Sequence, residues 1–114
     1  MIPLFIPLKT EYFNAFLSGQ KNSELRLYGS RWNERTCPVG RRVILSKGYG
    51  KHHRIEGVIF DFLIRDANTF DSTYKAAVKR IYGSLDKPIA EIRIKLDKYL
   101  SEQPAAGGVD DRLL

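Results

Sequence analysis

Gly19-Gln20-Lys21-Asn22-Ser23-Glu24-Leu25-Arg26 is the stretch that decides how this chain is read. The glycine stops a run with helical spacing, and the residues after it alternate as a strand does. Upstream, Thr10 is a candidate N-cap for a helix over residues 10–18, with Tyr12, Phe13, Phe16 and Leu17 as its apolar stripe. Downstream, residues 23–28 put Leu25 and Leu27 on one face, toward a core. Glu24, Arg26 and Tyr28 take the other face, toward a cavity or solvent. Lys21, in the turn, leans over the polar face. A cation, an anion and a second cation at one strand entrance either pair with one another or line a small polar pocket. Both readings stay open on this stretch alone.

Working outward, residues 2–8 read as a short strand that Pro3 and Pro7 confine to an edge or a strand end. Residues 29–40, which hold Trp32, Cys37 and Pro38, are irregular. A strand over 42–47 leads into a flexible, basic hairpin loop at 48–53, tipped by Tyr49 between two glycines. Residues 55–64 form the longest strand, where Gly57 marks a bulge or a close backbone approach. After a loop at 66–70, Asp71 or Ser72 caps a second helix with Tyr74, Ala77, Val78 and Ile81 as its stripe and Gly83 as its stop. Residues 88–96 are a strand with Ala90, Ile92, Ile94 and Leu96 facing in and Glu91, Arg93 and Lys95 facing out. Residues 101–114 have little to bury and are expected to be a disordered tail. Many strands, few helices and no repeating βαβ unit predict an α+β fold, a small, mostly antiparallel β-barrel with two flanking helices.

At 114 residues the chain suits one domain. One cysteine excludes an internal disulfide framework, and one thiol with two adjacent histidines makes a poor zinc site. No metal and no cofactor are expected. The apolar start is short, broken by two prolines and lacks a basic n-region, so neither a signal peptide nor a membrane span is expected and the cytoplasm is the default. The net charge of +6 is uneven. Between Glu34 and Glu56 there is no acidic residue, while Arg35, Arg41, Arg42, Lys47, Lys51 and Arg54 are all basic. Such a run suits a polyanion, because each neutralised phosphate releases counterions; it is equally consistent with a solvated loop.

The pattern Gly19-x-Lys21-x-x-Glu24-x-Arg26, between a helix and a strand, resembles the signature of the ASCH domain, a branch of the PUA-like β-barrel superfamily. Ile6-Pro7-Leu8-Lys9, Trp32, Gly40-x-x-Val43 and the Gly48–Gly50 loop fit the same resemblance, which covers about residues 2–96 and makes residues 1–100 the domain. It implies a barrel with a cleft lined by Lys21, Glu24 and Arg26, and binding of RNA or another nucleic acid. Similar bacterial proteins are amidohydrolases of an acylated cytidine, or ribonucleases. In that amidohydrolase branch the motif lysine acts with a threonine three residues later and a downstream glutamate. Here Glu24 stands at the threonine position, and Asp66 and Asp71 are the nearby downstream carboxylates.

The expected function is therefore binding of RNA or a nucleotide-like ligand, with DNA as a possible substitute and the oligomeric state open. Lys21, Glu24 and Arg26 are the expected pocket, flanked by Tyr28 and Trp32 as stacking rings. Arg41, Arg42, Lys47, Lys51 and Arg54 are expected to follow the phosphate backbone, with Tyr49 stacking on a base. The alternative is a hydrolase of modified nucleosides or RNA using Lys21 and Glu24 as catalytic groups, with Arg26 as an electrostatic stabiliser. Cys37, without a histidine and acid partner, is expected to be inert.

Overall fold

Prolines and glycines punctuate the chain into five strands and two helices, seen in a computed structural model that describes residues 1–98. The expected tail at 101–114 lies outside the described residues. The first strand, β1 (Leu4–Leu8), is an edge strand, where the N–H that Pro7 lacks is not missed. The helix α1 (Thr10–Ser18) follows. Its N-cap is Lys9, which makes no side-chain cap bond; Thr10 is the first helical residue, not the cap. Phe13 and Phe16 are its buried anchors, while Tyr12 is 43% exposed. Gly19 takes the left-handed conformation at φ 83°, which favours glycine, and its N–H bonds to the Phe16 carbonyl.

The remaining strands are β2 (Ser23–Leu27), β3 (Arg42–Lys47), β4 (Arg54–Asp66) and β5 (Pro88–Leu96). They form one sheet in the order β1-β3-β4-β5-β2, parallel between β1 and β3 and antiparallel elsewhere. The long β4 pairs its first residues with β3 and its later ones with β5, so the sheet is sheared and curls. The irregularity between Ile59 and Asp61 falls at Phe60, and Gly57 is instead the close approach: a Cβ there would lie 2.5 Å from the Lys95 carbonyl oxygen. The result is a mixed, five-stranded half-barrel. Its two free edges, β1 and β2, are bridged by a side chain: Arg26 Nη2 donates to the Pro7 carbonyl at 3.0 Å.

Inside the curl sits the main core, including Ile6, Phe16, Val43, Leu45, Ile59 and Ile92. A second, smaller cluster lies on the other face of β5, where Ala67, Val78 and Ile89 meet Leu25, Leu27 and Phe70. The helix α2 (Ser72–Tyr82), capped by Asp71 and preceded by a 3-10 turn at Ala67–Thr69, covers that face. Its expected stripe is largely exposed: Val78 is buried, but Tyr74 and Ile81 are 52% and 61% exposed. Two further expectations are corrected. Leu25 and Leu27 pack on the smaller cluster, so Glu24 and Arg26, opposite Ile92 and Ala90, lie on the main-core side. Glu91, expected to face solvent, is buried beneath the cover of the smaller cluster. The reason is common to both. The β2–β5 end of the sheet is covered on both faces, so alternation there does not separate inside from outside.

Candidate functional site

The site is built around the turn that joins α1 to β2. A backbone bond from the Lys21 N–H to the Ala15 carbonyl folds the turn back onto the helix, and Asn22 extends the β2–β5 ladder by accepting from the Ile94 N–H. Lys21 is thereby held between α1 and the sheet, with Nζ 5.4 Å from the Tyr12 ring centre and 5.5 Å from that of Phe16. Glu24 is nearly enclosed, its side chain 11% exposed, and both oxygens are taken. Oε1 lies 3.5 Å from Lys21 Nζ, and Oε2 accepts from Arg26 Nε at 2.9 Å. Arg26 is in turn stacked over Trp32, 4.9 Å from the ring centre, while bridging to Pro7.

The motif residues thus separate. Lys21 lines a half-open cleft of about 580 Å³, whereas Glu24 and Arg26 stand behind it, joined to each other. The cleft is walled by Tyr12, Lys21, Arg65, Phe70, Asp71 and Tyr74, with Ser23 and Glu91 among its floor residues. Its size is in the range of small-ligand sites, and its lining mixes rings with charges. Arg65 packs over Phe70 at 4.8 Å and donates to Glu91 at 2.7 Å. Asp71 Oδ1 is committed to capping the Tyr74 N–H. Sequence reasoning missed Tyr12, Arg65, Phe70, Tyr74 and Glu91 as cleft residues. Arg65 and Glu91 become neighbours through the β4–β5 register, for which no local signal exists.

The other expected ligand contacts lie elsewhere. Tyr28 donates its hydroxyl to Glu34, a bond that holds the Glu34 carboxyl below its ordinary range and pushes the Tyr28 phenol up. Trp32 is 7% exposed, in the main core, and carries Arg31 as well as Arg26 over its ring. Neither lines the cleft.

The basic run divides along β3. At one end, Arg41 donates to the carbonyls of Ile2 and Thr36, and Arg42 pairs with Asp97 and Glu56. Asp97 holds the Arg42 guanidinium above its ordinary value and is itself lowered. At the hairpin end, Arg54 lies over Phe5 at 5.0 Å, Lys47 over Phe13 at 5.7 Å, and Lys51 is exposed. Tyr49 is 81% exposed beside Phe5. Cys37 is buried, and burial pushes its thiol up despite the nearby Arg41. Among the described residues no three His, Cys, Asp or Glu side chains gather as a metal would need. No described helix is long and apolar enough to cross a membrane.

Two solved structures share the fold. The hypothetical protein PH0355 superposes with a TM-score of 0.60 at 15% identity, over 83% of this chain and 99% of that one. ZmASCH from Zymomonas mobilis, crystallised as a point mutant, superposes with a TM-score of 0.57 at 16% identity, over 80% of this chain and 67% of that one. The fold is ASCH-like. No protein-family model and no curated protein matches the sequence. The turn that carries Lys21 lies between α1 and the β2 edge of the curled sheet.

Proposed function

We propose that this protein is a cytoplasmic binder of RNA or a nucleotide-like piece of it, taking one base or nucleoside into the cleft beside Lys21. The observation that supports this most is the composition of that cleft: two cations, Lys21 and Arg65, set among the rings of Tyr12, Phe70 and Tyr74. Rings accept the face of any base, and lysine and arginine donate to phosphate and carbonyl oxygens. In this reading Glu24 and Arg26 are positioning residues that hold Lys21 at the cleft wall. The hairpin cations Lys47, Lys51 and Arg54, with Tyr49, take the neighbouring stretch of chain. The two parts adjoin on α1, where Phe13 lies under Lys47 and the neighbouring Tyr12 lines the cleft. The ASCH-like fold is consistent with a nucleic-acid partner.

Binding of short single-stranded RNA should weaken steeply with salt, and Lys51→Ala should lower affinity about equally for all sequences. Arg41→Ala should leave affinity nearly unchanged, because that guanidinium is engaged with Ile2 and Thr36. Fluorescence anisotropy at several salt concentrations measures both. A salt-independent affinity would remove the phosphate half of the proposal.

One observation favours a second reading, hydrolysis of a modified nucleoside or of RNA in the same cleft. Asp71, a carboxylate downstream of the motif, lines the cleft together with Lys21. Ligand recovered unchanged after hours with the protein counts against turnover. Conversion that disappears in both Lys21→Ala and Asp71→Asn would establish it.

A further inference from the structure

Four charges alternate in sign along the face of β4 and β5 that α2 covers at one end. Asp61 lies 3.7 Å from Arg93, Arg93 Nε donates to Glu91 Oε2 at 3.2 Å, and Glu91 Oε1 accepts from Arg65 Nη1 at 2.7 Å. The ladder carries no net charge, yet it is polarised. Its positive end, Arg65, lines the cleft, while Arg93 and Asp61 do not. Glu91, with its side chain 10% exposed, already has Arg93 as a partner, so Arg65 is not needed merely to neutralise it. The Arg65 guanidinium is fixed in direction by Glu91 and by the Phe70 ring beneath it. Among the described residues, Nη1 to Glu91 is the one hydrogen bond it makes, and Nε and Nη2 retain their donors.

We infer that Arg65 reads a phosphate group, so that the cleft takes a nucleoside monophosphate, free or as one unit of a chain, in preference to the nucleoside. This rests on the nucleotide-binding reading above and sharpens it. A guanidinium held by an acid and a ring has lost its freedom before the ligand arrives, and its planar fork matches two phosphate oxygens. Lys21, in the motif turn, is already shared with Glu24 and supplies a point charge without that directional match.

The test is amide NMR of the isotope-labelled protein at low salt, titrated with the four ribonucleosides and with their 5′- and 3′-monophosphates. A monophosphate should bind about tenfold or more tightly than its nucleoside, shifting residues 21–23 and 69–71. Arg65→Gln should abolish that preference by weakening the monophosphate far more than the nucleoside, and Arg65→Lys should restore part of it. Arg93→Gln, which removes the other partner of Glu91 from outside the cleft, should keep the preference whole. Equal affinities for nucleoside and monophosphate in the wild-type protein would overturn the role of Arg65 alone. So would an Arg93→Gln effect as large as that of Arg65→Gln, since the ladder would then act only through the fold. Binding of neither class would overturn this inference and the nucleotide reading together.

Discussion

Glu24 is the residue on which the motif turns, because one enclosed carboxylate answers two cations. Removing it leaves Lys21 and Arg26 partly buried without their acceptor, and breaking such a set is far costlier than losing an exposed pair. Glu24→Ala should therefore destabilise by on the order of 3 kcal/mol, read from urea unfolding. Arg26→Lys keeps the charge but not the fork that reaches Glu24 and Pro7 while lying over Trp32; it should cost about 1–2 kcal/mol by the same measurement. A loss below a few tenths of a kcal/mol in both would mean that the trio is not structural. The sequence spacing was enough to place the three charges together. It could not say which face of β2 they shared, because side-chain alternation is symmetric until the cover on each face is known. Leu25 and Leu27 do face a core, the smaller of the two, while Glu24 and Arg26 face the main one rather than open solvent.

At the level of elements, the strands were legible because their alternation and their bounding glycines and prolines are local properties. The partners were not. Register is what brings Arg65 beside Glu91 and Phe60 into an irregular position, and it depends on contacts far apart along the chain. Gly57 shows both sides of this. A glycine inside a strand signalled a special position, but only the pairing with β5 shows that backbone, not a bulge, occupies the space. Gly57→Ala would drive a Cβ to within 2.5 Å of the Lys95 carbonyl oxygen, so β4 and β5 must separate or shift. The expected cost is about 1–3 kcal/mol, with faster amide exchange at 94–96 than elsewhere in the sheet. Unchanged thermal stability in that variant would mean that the two strands can slide apart freely.

Considered whole, the molecule has a cation-rich end at the β3–β4 hairpin and a second end where the arginines are committed to carbonyls and carboxylates. The charge run in the sequence predicted the excess correctly but not its division, since a strand of six residues separates Arg42 from Lys47 in space. Enclosure matters equally for Cys37, at 0% exposure and with its thiol pushed up by burial. A disulfide reagent should leave it untouched in the native protein, and the reaction rate should follow global unfolding as urea is added. Fast labelling in the absence of denaturant would show that the 29–40 segment opens independently of the barrel.

The strand order carries one more consequence, which concerns how the chain is made. Both edge strands come early in the sequence, yet β1 pairs with β3 and β2 pairs with β5, the last strand. During synthesis α1 can form as soon as it leaves the ribosome, but the apolar faces on either side of it must wait. β2 and its buried glutamate stay without a sheet partner until nearly all of the described chain has emerged. The β2 edge is therefore closed only when the last strand arrives, and the Arg26 bridge across the seam is among the last contacts available to the fold.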